Sequence, residues 1–243
     1  QGFLDSIGKL LISPGDYVAV EGPTYLAALQ AFNAYEAKYV KIETDAEGLI
    51  PESLEEIIKN YPIKFAYTVP TFQNPSGKTI GLKRRRQIAE IIKKYDILLV
   101  EDDPYSALRY KGEELPSIQS MAQSNVIYAS TFSKIFAPGL RVGFFVAPQQ
   151  LGKWMVIVKQ GVDLNTCTYA QALAAEYLLG GYVPGQVNKI IELYRPKLEA
   201  MITAVEKYFP EGCEFTKPDG GMFLWVKSPK GIDMEDIYNI TIE

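Results

Sequence analysis

The sequence predicts an α/β fold with three layers, in which helices cover both sides of a mostly parallel sheet. Two features of the chain lead to this prediction. Short apolar runs of strand length alternate with longer segments in which apolar residues recur at helical spacing. No internal repeat or low-complexity stretch interrupts the alternation. Strands that alternate with helices are typical of βαβ units, and these units build parallel sheets.

The individual elements follow from the same patterns. Helical spacing predicts helices over residues 4–12, 25–35, 51–60, 82–95, 148–158 and 169–179, and a long helix over 184–208. Strand patterns occur at 17–21, 39–43, 65–69, 97–100, 126–130, 142–147, 213–216 and 222–226. Pro196 lies inside the long helix and is expected to kink it. We therefore expect a large domain over residues 1–182, and a bridging helix with the start of a smaller α+β domain over 183–243.

Composition fits a globular protein and excludes some kinds of catalytic site. The chain has 243 residues, of which 47% are apolar and 22% charged, and its net charge is -4. It contains no histidine, so a histidine-based catalytic triad is excluded. Cys167 and Cys213 are far apart and do not have the spacing of metal ligands. No metal site is therefore expected.

Neither a nucleic acid nor a membrane is an expected partner. The basic run at residues 83–86 precedes apolar residues at helical spacing, so we interpret it as the solvated side of an amphipathic helix. No apolar run approaches the length of a membrane span, and no signal-peptide pattern begins at Gln1. The cytoplasm is therefore the expected location.

The most informative motif follows the predicted strand 126–130. Thr131, Ser133 and Lys134 come directly after it, and Arg141 lies seven residues after the lysine. A lysine amine can condense with an aldehyde, while hydroxyls and a guanidinium can bind phosphate oxygens. That combination suits pyridoxal 5'-phosphate (PLP), which carries both groups. A solvated lysine and a surface arginine are the alternative, and for a lysine taken alone they are the more common case.

Three further polar segments follow predicted strands. They are Gly22-Pro23-Thr24-Tyr25, the segment 70–77 that contains Asn74, and Glu101-Asp102-Asp103-Pro104-Tyr105. In an open α/β sheet, ligands bind beyond the carboxyl ends of the strands. Turn chemistry explains the Gly-Pro, Asn-Pro and Asp-Pro pairs. It does not require an asparagine, an aspartate, a tyrosine and a lysine to occur at these ends together.

The motifs resemble those of the fold type I PLP-dependent aminotransferases of class I and II. The resemblance rests on Asn74-Pro75-Ser76-Gly77, on Asp102 with Tyr105 three residues later, and on Ser133-Lys134 with Arg141. Gln73, the Asp-Asp-Pro-Tyr sequence and Gly139-Leu140-Arg141-Val142-Gly143 are similar to one branch of the family. That branch holds the 2-aminoadipate, kynurenine and aromatic aminotransferases, and the aminotransferase-like domains of certain bacterial regulators.

The resemblance implies the catalytic roles. Lys134 would condense with the cofactor and then carry a proton, and Asp102 would pair with the pyridine nitrogen and keep it protonated. Tyr105 and Asn74 would hydrogen-bond the phenolic oxygen. Asp103 is expected to hold a turn or capping role instead, because the three-residue spacing to Tyr105 selects Asp102. A half-buried aromatic residue with a satisfied hydroxyl is the alternative for Tyr105.

The resemblance also implies which residues hold the cofactor. Tyr25 would stack on one face of the pyridine ring, although a core aromatic residue fits the same pattern. Pro104 would cover the other face, because it lies two residues after Asp102. The residues expected at the phosphate are Thr131, Ser133, Arg141 and, at the beginning of a helix, Gln1.

Other segments are expected to meet the substrate or a second subunit. Asn165 and Thr166 resemble a segment that reaches the cofactor of the neighbouring subunit, with a helix cap before Tyr169 as the alternative. A homodimer is therefore expected. Gly220 and Gly221 lie in a loop that the family places near the substrate, with a tight turn as the alternative. Compared with the family, we expect the chain to lack the amino-terminal arm and the arginine that grips the substrate carboxylate.

The implied function is transfer of an amino group from an amino acid to a 2-oxo acid through pyridoxamine phosphate. Two alternatives remain open. PLP-dependent lyases share Lys134 and Asp102 with the aminotransferases, so the cofactor is better specified than the reaction. A non-catalytic PLP-binding effector domain of a regulator would also carry these residues.

Overall fold

A computed structural model describes residues 1–241. Its strands are β1 (Tyr17–Glu21), β2 (Lys38–Ile42), β3 (Thr44–Asp45), β4 (Gly48–Leu49), β5 (Ile63–Thr68), β6 (Leu98–Asp102), β7 (Val126–Thr131), β8 (Gly143–Val146), β9 (Glu214–Phe215) and β10 (Val226–Lys227). Its helices are α1 (Gly2–Leu11), α2 (Leu26–Asn33), α3 (Pro51–Asn60), α4 (Leu82–Tyr95), α5 (Gln149–Asp163), α6 (Thr168–Leu179), α7 (Tyr182–Tyr208) and α8 (Met234–Thr241). The last two residues of the predicted second domain, 242 and 243, lie outside the described residues.

The centre of the fold is a sheet with the strand order β2-β1-β5-β6-β7-β8. Neighbouring strands are parallel except for β7 and β8, which run antiparallel. Strands β1, β5, β6 and β7 are therefore consecutive neighbours and point the same way. The four polar segments predicted to bind a ligand all follow these strands, so they emerge at one edge of the sheet.

Alternate residues of the strands face two separate apolar cores. On one face, α1, α2 and α5 pack against residues such as Val18, Tyr67 and Val100. On the other face, α3 and α4 pack against intervening residues such as Ala19 and Leu99. Because the inner strands β1, β5, β6 and β7 are covered on both sides, their sequences are largely apolar, whereas the edge strands β2 and β8 are more exposed. The predicted three-layer fold with a mostly parallel sheet is confirmed.

Most predicted elements are present, with the largest differences after α7. The predicted strands 213–216 and 222–226 shorten to the two-residue strands β9 and β10. The residues between β9 and β10 are instead attached to the loop that follows β6, where the Gly221 amide donates to the Leu108 carbonyl at 2.8 Å. Helix α7 continues through Pro196 as one element, and the kink stays a prediction, as does the division into two domains. In the part of the chain that the structure describes, no helix combines the length and apolar character needed to cross a membrane.

The interpretation of the basic run 83–86 as a solvated helix face is wrong for two of its members. Arg85 is only 2% exposed. Its guanidinium donates to the carbonyls of Ile80, Pro116 and Pro70 and to the hydroxyl of Thr71 at 2.7–3.1 Å. Arg84 forms ion pairs with Asp45 and Glu47 at 2.6 and 3.2 Å. Buried arginines are tolerated because their donors are satisfied in this way.

Candidate active site

One cavity opens at the carboxyl edge of the sheet, with a volume of about 510 Å³. Every residue predicted from the sequence to bind the cofactor lines it. These residues are Gln1, Tyr25, Asn74, Asp102, Pro104, Tyr105, Thr131, Ser133, Lys134 and Arg141. Residues up to 140 positions apart in the chain are thus brought together by the shared edge of the parallel strands.

Asp102 ends β6 and points into the cavity. Its carboxylate oxygen Oδ2 accepts a hydrogen bond of 2.8 Å from the hydroxyl of Tyr67. Burial raises the pKa of Asp102 from 3.8 to about 6, and the hydrogen bond from Tyr67 acts in the opposite direction. A buried carboxylate of this kind is stabilised in its charged form when a cation comes next to it.

The neighbouring carboxylates occupy the opposite face of the sheet. Asp103 accepts hydrogen bonds from the Ser106 amide at 3.2 Å and from the Tyr128 hydroxyl at 3.0 Å, which is the turn role expected of it. Glu101 is buried and accepts the amides of Ile118 and Gln119 at 2.9 and 2.8 Å. Because side chains alternate along a strand, only Asp102 of the three reaches the cavity.

Tyr105 and Asn74 lie beside Asp102 in the cavity wall. Burial raises the pKa of the Tyr105 hydroxyl to about 12, while a hydrogen bond with Asn74 acts to lower it. The Lys134 amine lies 5.9 Å from the centre of the Tyr105 ring. Phe223, which follows the Gly220-Gly221 loop, packs edge-on against Tyr105 with ring centres 5.5 Å apart. The loop predicted to lie near the substrate is thus in contact with the cavity wall.

The glycine in the Gly220-Gly221 loop is explained by the close approach of neighbouring residues. Gly221 has a φ of +73°, which favours glycine, and a Cβ there would collide with the side chain of Phe72. Gly77 of the Asn74 segment has a φ of +71°, and its Cβ would lie 2.6 Å from the Phe223 carbonyl oxygen. The two loops therefore pack backbone to backbone.

Thr131, Ser133 and Arg141 form a polar cluster in the cavity wall. The Thr131 and Ser133 hydroxyl oxygens are 3.0 Å apart, and the Ser133 amide donates to the Thr131 hydroxyl at 3.1 Å. The Arg141 guanidinium lies 3.4 Å from the Ser133 hydroxyl. Gln1 is the N-cap of α1, whose first turn also lines the cavity. Hydroxyls, a guanidinium and the positive end of a helix form a donor set that is suited to a phosphate.

Some contributors to the site were not predicted from the sequence. The sequence pattern places Tyr67 in a strand and indicates no role in the site, yet its hydroxyl donates to Asp102. The sequence predicts for Gln73 only a similarity to one branch of the family. In the structure its side chain accepts a hydrogen bond from the Ser76 amide and donates one to the Pro23 carbonyl, both at 2.7 Å. Gln73 thereby joins the Asn74 segment to the Tyr25 segment. The alternation of side chains in β5 predicts the face of the sheet on which Tyr67 lies, but it does not predict the hydrogen bond to Asp102.

The segment expected at a subunit boundary is only partly at this cavity. Thr166 lines the cavity of its own chain, whereas Asn165 is exposed and is not among the lining residues. The N-cap of the following helix is Cys167, and neither Asn165 nor Thr166 holds that position. A role of this segment toward a second subunit stays a prediction.

Comparison with known proteins decides the family. The sequence model of the family "Aminotransferase class I and II" matches residues 2–238. The chain belongs to this family. It is 47% identical over 239 residues to aromatic-amino-acid aminotransferase 1 of Thermococcus litoralis, covering 96% of this chain and 57% of that protein.

Solved structures of aminotransferases have the same fold. Kynurenine aminotransferase of Pyrococcus horikoshii, solved in complex with PMP, is 46% identical with a TM-score of 0.95, over 98% of this chain and 61% of that one. The α-aminoadipate aminotransferase LysN of Thermus thermophilus, complexed with N-(5'-phosphopyridoxyl)-L-leucine, is 34% identical with a TM-score of 0.94, over 99% and 63%. The chain thus spans about three fifths of the length of these relatives.

The cofactor of this aminotransferase family is PLP, and the cavity of this chain fits it. The cavity is lined by a phosphate-binding donor set, by the buried carboxylate of Asp102 and by Lys134. PLP carries a phosphate, a basic ring nitrogen and an aldehyde, so each polar group of the cofactor has a chemically matched partner. The prediction of PLP as the cofactor is confirmed.

Proposed function

We propose that the protein is an aminotransferase that moves an amino group from an amino acid to a 2-oxo acid. The observation that carries the proposal is the meeting of Lys134, Asp102, Asn74 and Tyr105 in one cavity with the cluster Thr131, Ser133 and Arg141. When bound, PLP supplies an electron sink that stabilises negative charge at the substrate Cα and stores the amino group between two half-reactions.

Lys134 is the proposed catalytic base and acid. Its Nζ atom would hold the aldehyde group of the cofactor in the resting enzyme, and as a free amine it would take a proton from the substrate Cα and later return one. Asp102 holds a proton on the ring nitrogen through its charge. Tyr105 and Asn74 bind the phenolic oxygen and keep the ring in a fixed orientation. Orientation of this kind lowers the barrier because the reacting groups are already in place.

The remaining residues are proposed to anchor the cofactor. Thr131, Ser133 and Arg141 bind the phosphate together with the first turn of α1. Tyr25 covers one face of the ring and Pro104 the other, which keeps water away from the reacting bond. The two-domain division at residues 182 and 183 and a homodimer with shared active sites belong to the same proposal. Family resemblance and the position of Thr166 in the cavity wall support it.

Reaction of the full-length protein with a panel of amino acids tests the function. The panel contains aromatic amino acids, kynurenine and 2-aminoadipate, because similar proteins carry those names, together with several 2-oxo acid acceptors. We expect the visible absorbance of the bound cofactor to fall when a donor amino acid is added and to return when an acceptor is added. A protein that binds PLP without exchange with any donor would instead be a binding module. Release of ammonia or carbon dioxide would indicate a lyase or a decarboxylase.

A further inference from the structure

We propose that Tyr67 is a positioning residue for Asp102, which holds that carboxylate ionised and oriented so that the proton stays on the ring nitrogen of PLP. The inference rests on the proposed role of Asp102 and adds a residue that does not touch the cofactor cavity. The Tyr67 hydroxyl would thereby influence how strongly the cofactor acts as an electron sink.

The strand register places the two side chains together. In the parallel pairing of β5 with β6, Tyr67 is the partner of Val100. Asp102 lies two residues beyond Val100, so it is on the same face of the sheet. The Tyr67 ring therefore extends along this face toward the end of β6, where its hydroxyl donates to Oδ2 of Asp102 at 2.8 Å.

The surroundings of Tyr67 keep its hydroxyl as a hydrogen-bond donor to the Asp102 carboxylate. The side chain is fully buried, and its ring packs edge-on against Phe32 with ring centres 5.9 Å apart. Burial raises the pKa of its hydroxyl, and the charge of Asp102 raises it further, so the hydroxyl remains a proton donor. Oδ1 of Asp102 accepts no hydrogen bond from any side chain or amide among residues 1–241, so it remains available to the ring nitrogen.

Loss of the hydrogen bond from Tyr67 is expected to raise the basicity of the Asp102 carboxylate. A carboxylate that loses a donor becomes a stronger base, because its charged form is less stabilised. The proton shared with the ring nitrogen then moves toward Asp102. Since a hydrogen bond to a charged group is among the stronger ones in proteins, we expect the proton equilibrium to change about tenfold or more. The other titratable side chains with an electrostatic effect on Asp102 are Tyr25, Tyr105 and Asp103, and Glu21 lies near Tyr67 itself. Tyr67→Phe leaves all of these side chains in place.

The chain contains a matched control for the experiment. The Tyr128 hydroxyl donates to Oδ2 of Asp103 at 3.0 Å, one residue along the chain but on the opposite face. Tyr67→Phe and Tyr128→Phe therefore remove the same group from the same kind of bond beside adjacent aspartates. Of the two aspartates, only Asp102 lines the cofactor cavity.

The experiment measures the nitrogen-15 NMR shift of the ring nitrogen in full-length protein loaded with labelled PLP. We expect the shift of a protonated pyridine in the unchanged protein and in Tyr128→Phe. In Tyr67→Phe we expect movement toward the neutral value, which Asp102→Asn defines. A shift in Tyr67→Phe that equals that of the unchanged protein, or an equal movement in Tyr128→Phe, would overturn the proposal. If Asp102→Asn itself leaves the ring protonated, the proposed role of Asp102 is what fails.

A second measurement covers the case in which Tyr67→Phe does not fold. The phenylalanine keeps the ring packing but leaves Asp102 buried without its partner. The double variant with Asp102→Asn removes that charge, and we expect it to recover folding and a melting temperature near that of Asp102→Asn alone. If the double variant also fails to fold, the fold requires the hydroxyl itself, and the proposal is overturned.

Discussion

At the residue scale, the site depends on which of several similar side chains reaches the cavity. Asp102 and Asp103 are adjacent carboxylates, yet one faces the cavity and Tyr67 while the other caps a turn and accepts from Tyr128. Their different environments follow from the alternation of side chains along β6. Substitutions of these two residues should therefore have very different consequences.

We expect Asp102→Asn to retain PLP but to lose transamination by about a hundredfold or more, because a neutral amide does not hold the proton on the ring nitrogen. In Asp103→Asn the amide oxygen still accepts from Tyr128, so activity should change little. Steady-state kinetics of both variants, together with cofactor content, checks the prediction. Equal losses from the two substitutions would mean that Asp102 is not the partner of the ring.

Lys134 provides the most direct chemical test. We expect the protein as purified to show visible absorbance from lysine-bound PLP, and Lys134→Ala to lack it because the amine that binds the aldehyde is gone. Borohydride reduction followed by peptide mass spectrometry should find the cofactor on Lys134. Lys159, which also lines the cavity, is a suitable control position. Attachment of PLP to any other lysine contradicts the assignment.

Glu21 gives the fold a dependence on pH. This residue is 3% exposed, and burial raises its pKa from 4.5 to about 7, although it accepts the Val69 amide at 2.9 Å. Between these two values the folded protein binds a proton that the unfolded chain does not. Its contribution to stability is therefore complete below pH 4.5 and is lost as the pH rises to 7.

We expect Glu21→Gln to be as stable as the unchanged protein at pH 4.5 and more stable at pH 8, by up to about 3 kcal/mol. Urea unfolding at several pH values measures the difference. Glu90→Gln, at an exposed position of α4, should show no such trend. A difference that does not vary with pH would show that Glu21 does not titrate in this range.

At the element scale, α4 is connected to the Asn74 segment by Arg85. The guanidinium donates to Pro70, Thr71 and Ile80, which lie at the two ends of the segment 70–80. It also donates to Pro116 and so joins a further loop. A single buried side chain thus closes the loop that presents Asn74 to the cavity.

We expect Arg85→Met to lower the free energy of unfolding by about 3 kcal/mol or more, because it leaves several buried acceptors without a donor. PLP affinity should fall as well, since Asn74 loses its support. Arg86→Met is the matched control, because Arg86 lies one position along the same helix and is less buried than Arg85. Chemical denaturation and PLP titration measure the two effects. Similar behaviour of the two variants would contradict the proposed closure.

At the scale of the whole molecule, side chains from most of the chain meet at one edge of the sheet. The cavity is lined by residues from Gln1 to Thr166, and the loop at Gly220 and Gly221 packs against its wall. In addition, the Tyr110 hydroxyl donates to the Gly221 carbonyl at 2.5 Å. The segment after α7 is therefore attached to the cofactor-binding unit close to Tyr105.

We expect the full-length protein to be a homodimer, because each active site of the family uses residues of a second subunit. Large apolar side chains on α6 are exposed in the single chain, among them Tyr169 at 71% and Leu179 at 86%. Light scattering coupled to gel filtration should give twice the mass of one full-length chain at micromolar concentration. A protein that remains monomeric and still transaminates would contradict the prediction.

The sequence alone determined the fold class, the cofactor and the positions of Lys134, Asp102, Asn74 and Tyr105. The fold class and the meeting of these residues follow because apolar runs mark buried strands and because the carboxyl ends of parallel strands share one edge. Residues that follow different strands are therefore neighbours even when far apart in the chain. The cofactor follows from the chemistry of the lysine motif and from the family resemblance. Confirmation of the family and of PLP came from the comparisons, and the roles of the individual residues stay predictions.

Only the tertiary structure decided which polar side chains are buried and what they bind. The basic run 83–86 predicts a solvated face, yet Arg85 is buried because carbonyls of the segment 70–80 and of the loop at Pro116 converge on it. Tyr67 reads as an ordinary strand residue, and its partner is determined by the register of β5 against β6. Periodicity reports the face on which a side chain lies, whereas its burial and its partners depend on segments that are distant in sequence.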